Sequence, residues 1–177
     1  MFSKEAIISE GVNVDVSGNR VKVSGPKGSV EKNFIIDKDM KIEKLDKKVK
    51  VSSESDSRSS KALVGTIAAH VRNMVGGVTK GYTYRLRVIY SHFPITVKVE
   101  KDKVVIQNFL GERTSRIGSI VGNTQVKIEG ADIVLTGVDI DEVSQTAGNI
   151  EQATRIVGYD KKVFQDGIYI VSKGEDK

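Results

Sequence analysis

Residues 14–28 read VDVSGNRVKVSGPKG, and residues 97–111, 83 positions later, read VKVEKDKVVIQNFLG. Few residues are identical, but the pattern is nearly the same: apolar, polar, apolar, polar turn, apolar, polar, apolar, then a short loop ending in Gly. Alternation with a period of two on both sides of a short polar turn predicts a β-hairpin. The agreement continues along the chain. Gly111 matches Gly28 and Ile117 matches Phe34 at the same offset, and the helical pattern AAHVRNM matches AGNIEQA at an offset of 79. The spacing is far longer than the 20–50 residues of a solenoid repeat, so the chain is read as two duplicated domains.

In the first copy, Val14 and Val16, the turn Gly18-Asn19, and Val21 and Val23 form the hairpin. The loop Gly25-Pro26-Lys27-Gly28 follows, then a third strand at Phe34 and Ile36, an outward-facing charged stretch EKLDKK, and a strand at Val49 and Val51. SSESDSRSS is rich in helix-capping residues. Leu63, Ile67, Val71 and Met74 make one apolar helical stripe, with a stop at Gly76-Gly77. In the second copy the hairpin turns at Lys101-Asp102. Val126 and Ile128 pair with Ile133 and Leu135 around Gly130-Ala131-Asp132. Asp139 and Glu142 resemble a capping box before the stripe Ile140, Val143, Ala147, Ile150. Between the copies, GYTYRLRVIYSHFP places Tyr82, Tyr84, Leu86, Val88 and Tyr90 on one strand face, with Thr83, Arg85, Arg87 and Ile89 on the other. An isolated hairpin is marginal, whereas a sheet closed on one face by a helix has a core. The expectation is therefore an α+β chain of two small domains, residues 1–81 and 82–177, each an antiparallel sheet covered by one helix.

The absence of cysteine excludes a disulfide scaffold, thiolate zinc sites and cysteine catalysis. His70 and His92 fall in different domains, so no metal site is expected. Asp139, Asp141 and Glu142 sit at a helix start, where carboxylates cap and complement the dipole. No phosphate-cradling motif is present, no cofactor is expected, and no constellation supports an enzyme. The chain has no apolar run of membrane-spanning length and its first residues do not resemble a signal peptide, so a cytoplasmic location is expected.

The net charge of +5 permits a nucleic-acid partner, and its position carries more than its size. Residues 1–81 hold the whole excess, but their lysines alternate with acids, as on a solvated face. Residues 80–116 contain Lys80, Arg85, Arg87, Lys98, Lys101, Lys103, Arg113 and Arg116 against three acids. Arginine suits phosphate because its planar fork donates two bonds to one group. A second cluster, Arg155, Lys161, Lys162 and Lys173, comes with Tyr159, Phe164 and Tyr169. Basic residues among aromatics grip phosphates and stack on unpaired bases. His92, in YSHFP, is read either as a phosphate or ribose contact or as a merely exposed turn residue. Tyr169 is read as core or contact alike, and Gly111 as a tight turn with close backbone approach to RNA as a second role.

GPKGS after the first hairpin, GTIAAHVRNMVGGVTKGY across the first helix, above all RNMVGGVTKGY, and NFLGER in the second copy resemble the large-subunit ribosomal protein L-six family in its archaeal and eukaryotic form. The resemblance spans the whole chain. It implies two duplicated α+β domains and binding to large-subunit rRNA chiefly through the second. It also implies a position near the stalk base and the sarcin–ricin loop, among neighbouring ribosomal proteins, with no catalytic activity, small-molecule substrate or membrane. Bacterial members carry a Gly- and Lys-rich stretch where this chain reads YDKKVFQDGIYIV; Lys161 and Lys162 keep its charge. The rRNA contacts expected are Arg85, Arg87, His92, Arg113, Arg116, Arg155, Tyr159, Lys161, Lys162 and Lys173. The alternative is a protein-interaction module binding partners by strand addition.

Overall fold

A computed structural model describes residues 2–36 and 39–174. The chain divides into two compact units, Met1–Gly81 and Tyr82–Lys177.

Unit 1 runs β1 (Phe2–Ile7), β2 (Asn13–Ser17), β3 (Arg20–Gly25), β4 (Gly28–Asn33), β5 (Met40–Leu45), β6 (Lys48–Ser53) and α1 (Arg58–Thr79). Unit 2 runs β7 (Tyr82–Ile89), β8 (Thr96–Glu100), β9 (Lys103–Gln107), β10 (Arg116–Ser119), β11 (Gln125–Glu129), β12 (Asp132–Gly137), α2 (Ile140–Ala153) and β13 (Gly167–Ser172). Strand pairing repeats between them. The orders β2-β3-β4 and β1-β6-β5 of unit 1 recur as β8-β9-β10 and β7-β12-β11, with β13 added on the far side of β7. Each unit is thus one copy of a duplicated α+β fold, with two small antiparallel sheets where one was expected. GYTYRLRVIY does not lie between the copies: β7 holds the place of β1 in the second.

Burial explains the shared pattern. Val21 and Val23 are fully buried in unit 1, as are Val104 and Ile106 at the equivalent positions of unit 2. The helical offset of 79 also holds: Val64, Ala68 and Val71 correspond to Val143, Ala147 and Ile150, and all six are inaccessible to solvent. The offset of 83 breaks at the loop. Val21 pairs with Lys32 and Val104 with Gly118, so the third strand of the second copy lies 86 residues on, 118 less 32. Ile117 is therefore the counterpart of Glu31 rather than of Phe34. It is 57% exposed where Phe34 is buried. The third strand of unit 1 also ends before Phe34, because the GPKG loop is a tight turn between β3 and β4.

Three further expectations change. Half of EKLDKK belongs to β5, whose Met40 and Ile42 point inward between exposed lysines and Glu43. Helix α1 passes through Gly76-Gly77 to Thr79; Gly77 is buried, and the left-handed φ of +80° falls at Gly81. Tyr90 is half exposed, since β7 ends at Ile89. Ser57 caps α1 by accepting the Ser60 N–H at 3.1 Å. Asp139 caps α2 through the Asp141 N–H at 3.0 Å. The Glu142 carboxylate accepts the Asn123 N–H at 3.0 Å, fastening the turn before β11 to the helix.

Candidate nucleic-acid interface

The basic residues of unit 2 separate into three settings. Arg85 and Arg87 alternate outward along β7 while Tyr84, Leu86 and Val88 enter the core. Cross-strand pairs share a face, so Arg87 has Asp132 on one side and Tyr169 on the other. Arg87 Nε donates to Asp132 Oδ1 at 2.7 Å and Nη2 to Oδ2 at 3.1 Å. This bidentate pair raises the pKa of the guanidinium and lowers that of the carboxyl, chiefly through the side-chain hydrogen bonds. Arg87 is 54% exposed, so the pair is weak and open to exchange with another anion.

The second setting is the loop from β9 to β10. Asn108 and Leu110 adopt left-handed backbone at φ of 59° and 51°, and Gly111 at 74°, within a single 3₁₀ turn. Gly111 is the tight-turn residue expected, and its Cα faces the Phe93 ring closely enough that a Cβ would lie 3.3 Å from it. Arg113 is exposed in this loop. Arg116 is turned inward. Nε and Nη2 donate to the Glu112 carboxylate at 2.9 and 2.6 Å, and Nη1 donates to the carbonyls of Ala153 and Arg155 at 3.0 and 2.9 Å. Its guanidinium also lies 4.4 Å from the centre of the Phe109 ring. The Glu112 hydrogen bond raises the Arg116 pKa and lowers that of Glu112. Arg116 thus competes poorly as a phosphate contact, because four of its N–H groups are committed within the unit.

The third setting gathers residues far apart in sequence. His92 stacks on Phe164 with ring centres 4.5 Å apart, and Tyr159 meets the same ring at 4.8 Å. Beneath His92 lies Asp166, whose side chain is 1% exposed. It accepts from the Ser91 N–H at 3.2 Å, the Ser91 hydroxyl at 3.0 Å, the His92 N–H at 3.3 Å and His92 Nδ1 at 3.2 Å. Burial pushes the Asp166 pKa up, but these four hydrogen bonds outweigh it and the net shift is downward. Ser91 and Asp166 both approach the same imidazole nitrogen, so the cluster lacks the opposed nucleophile–base–carboxylate geometry of a triad. It works as a clamp between the 90–94 and 164–167 segments.

Beside the clamp, the end of α2 and the turn before β13 enclose a groove of about 350 Å³ lined by Gln152, Arg155, Lys161, Phe164, Gln165 and Tyr169 among others. Asp160 shapes the turn by accepting the Lys162 N–H at 2.9 Å through its side chain and the Phe164 N–H at 2.9 Å through its carbonyl. Arg155, Tyr159, Lys161, Lys162 and Lys173 are all exposed. The fold therefore brings His92, Tyr159, Arg155 and Lys161 together around Phe164, and Arg87 is the cross-strand neighbour of Tyr169, which lines the same groove. Sequence reasoning missed Asp166 and Glu112, the two carboxylates that hold these loops. Only Glu112, four residues before Arg116, was within reach of local spacing.

The family described as Ribosomal protein L6 matches residues 8–81 and 93–167. The chain belongs to the ribosomal protein L6 family. Two matched segments, one in each unit, agree with the repeated strand order of this L6-family chain. It is 54% identical over 170 residues to the large ribosomal subunit protein uL6 of Desulfurococcus amylolyticus, covering 95% of this chain and 92% of the relative. The uL6 proteins of Methanothrix thermoacetophila and Staphylothermus marinus are 49% and 48% identical, over 94% and 98% of this chain and 94% and 96% of their own lengths. No described helix of the L6-family chain is long and apolar enough to cross a membrane.

Proposed function

We propose that this chain is a structural constituent of the large ribosomal subunit in the cytoplasm, docking onto large-subunit rRNA through unit 2 and contributing no catalysis of its own. The observation that carries the assignment to unit 2 is the convergence of Arg155 and Lys161 with Tyr159, Phe164 and His92 from separate stretches onto one exposed surface. Folded RNA offers phosphates, 2′-hydroxyls and unstacked bases rather than a readable major groove. Guanidinium and ammonium groups beside exposed rings match that chemistry. Arg85 and Arg113 extend the phosphate contacts, and unit 1 serves as a platform toward solvent and neighbouring ribosomal proteins. A location near the stalk base and sarcin–ricin loop is the finer part of the reading and rests on the family resemblance.

The test is the affinity of the full chain for a large-subunit rRNA fragment containing the sarcin–ricin region, against unrelated duplex RNA, titrated with salt. Tighter binding to the fragment, falling steeply with salt, is the expected result. Binding to neither RNA, or equal weak binding to both, would remove the claim that unit 2 specifies this site.

A further inference from the structure

The groove at the end of α2 has a lining of mixed chemistry. Part of it is aromatic. Tyr169 is 40% exposed, and its hydroxyl donates to the Gln165 carbonyl at 3.2 Å, which fixes the ring. Phe164 is held by His92 and Tyr159. The lining also carries a carboxylate acceptor, Glu151. Glu151 Oε1 accepts the Ile170 N–H at 3.0 Å, and a carboxylate with one such bond has capacity for more donors. Arg155 and Lys161 add positive charge to the lining.

A phosphate alone does not suit a groove whose lining includes the Glu151 carboxylate. A flat ring bearing adjacent N–H donors does, with its phosphates at the basic side chains. Of the four RNA bases, guanine presents two neighbouring donors on one edge, N1–H and the N2 amino group, whereas the other three place an acceptor beside a donor or offer a single N–H. We propose that this groove takes one unstacked RNA base, guanine in preference, with its ring on Tyr169, its donor edge toward Glu151 and its flanking phosphates at Arg155 and Lys161. The proposal rests on the rRNA-binding reading and adds a base-specific element to a surface otherwise expected to read shape.

The experiment has two arms on the full-length chain. In the first, the four nucleoside 5′-monophosphates are titrated at millimolar concentration while the ring resonances of Tyr169 and Phe164 are followed by NMR. The expected result is saturable shifts with the guanine nucleotide and weaker ones with the other three. Glu151→Gln should erase that preference while its remaining side-chain carbonyl still accepts from Ile170. In the second arm, Tyr169→Leu, which keeps the strand packed but removes the ring, should weaken binding to the sarcin–ricin fragment about fivefold or more. Absent or equal shifts with the four nucleotides overturn the guanine pocket. Undiminished fragment binding by Tyr169→Leu overturns the base site but leaves rRNA binding by unit 2 standing. If the wild-type chain fails to bind the fragment, the rRNA reading falls, and the RNA assignment of the groove falls with it whatever the nucleotides do.

Discussion

Arg116 Nη1 donates to the main-chain carbonyl of Arg155 at 2.9 Å. One basic residue thus holds the backbone of another, and their roles divide accordingly. Arg155 is exposed beside the groove, while Arg116 closes the open carbonyls beyond α2 and ties β10 to them. Their equal formal charge conceals this difference.

Replacing Arg116 by Ala removes two hydrogen bonds to carbonyls, the Phe109 contact and a pair with half-exposed Glu112. The pair with Glu112, still partly screened by solvent, contributes modestly. The hydrogen bonds and the cation–ring contact together amount to roughly 2 kcal/mol. Urea unfolding of Arg116→Ala should show that loss. The salt slope of its RNA binding should change less than for a surface arginine, and a full unit of lost slope would instead make Arg116 a phosphate contact.

Arg113, exposed in the loop before β10, is the converse case. Arg113→Ala should leave the unfolding midpoint within about 0.5 kcal/mol of wild type and flatten the salt dependence of rRNA-fragment binding by roughly one unit. Replacing Lys47 and Lys48 should alter the slope less, since Lys48 pairs with Glu5 at 2.8 Å. A larger effect at Lys47 and Lys48 would move the binding face to unit 1.

These cases mark where sequence reading stops. Hairpins were legible because a half-buried strand must alternate, as β2 and β3 do; β9 departs from the rule, burying Val104, Val105 and Ile106 in a row, and was found through its place in the repeat. β1 was not, because only Ala6 of FSKEAI is buried. The third strand of the second copy was misplaced by a loop three residues longer, which a constant offset hides, and that of the first because GPKG, read as a loop, is a tight turn leading straight into β4. At the candidate site, clusters of basic and aromatic residues were visible, but their partners were not. Arg87 meets Asp132 across 45 residues, and His92 meets Asp166 across 74. Charge counting locates a cation without revealing whether the fold has already answered it.

Gly25 closes β3 against the last turn of α1, and the Lys27 N–H donates to the Val78 carbonyl at 3.0 Å. A Cβ at position 25 would lie 2.8 Å from Val78 Cγ2 and 2.9 Å from the Val78 carbonyl oxygen. The second obstacle is backbone, so the helix end must shift. Gly25→Ala should destabilise unit 1 by about 1–3 kcal/mol, read as faster amide exchange across β3 and the end of α1. Unchanged exchange there would mean that the turn yields without cost.

Asp166 gives the chain a defined acid limit. Its folded pKa lies below the ordinary aspartate value of about 3.9. Ionised Asp166 therefore adds stability that is fully present above that value and is lost as pH falls through the lower folded pKa. Stability of the wild-type chain should decline below about pH 4, and loosening of the 90–94 and 164–167 segments should accompany that decline. Asp166→Asn cannot accept all four hydrogen bonds as a carboxylate does. It should cost about 1–3 kcal/mol at pH 7 and remove this portion of the acid dependence. His92→Ala should weaken the dependence without abolishing it, because the Ser91 hydroxyl and both backbone N–H groups still favour the ionised form. Parallel pH–stability curves for wild type and Asp166→Asn between pH 2 and 5 would show that the carboxylate is not the group that titrates with unfolding.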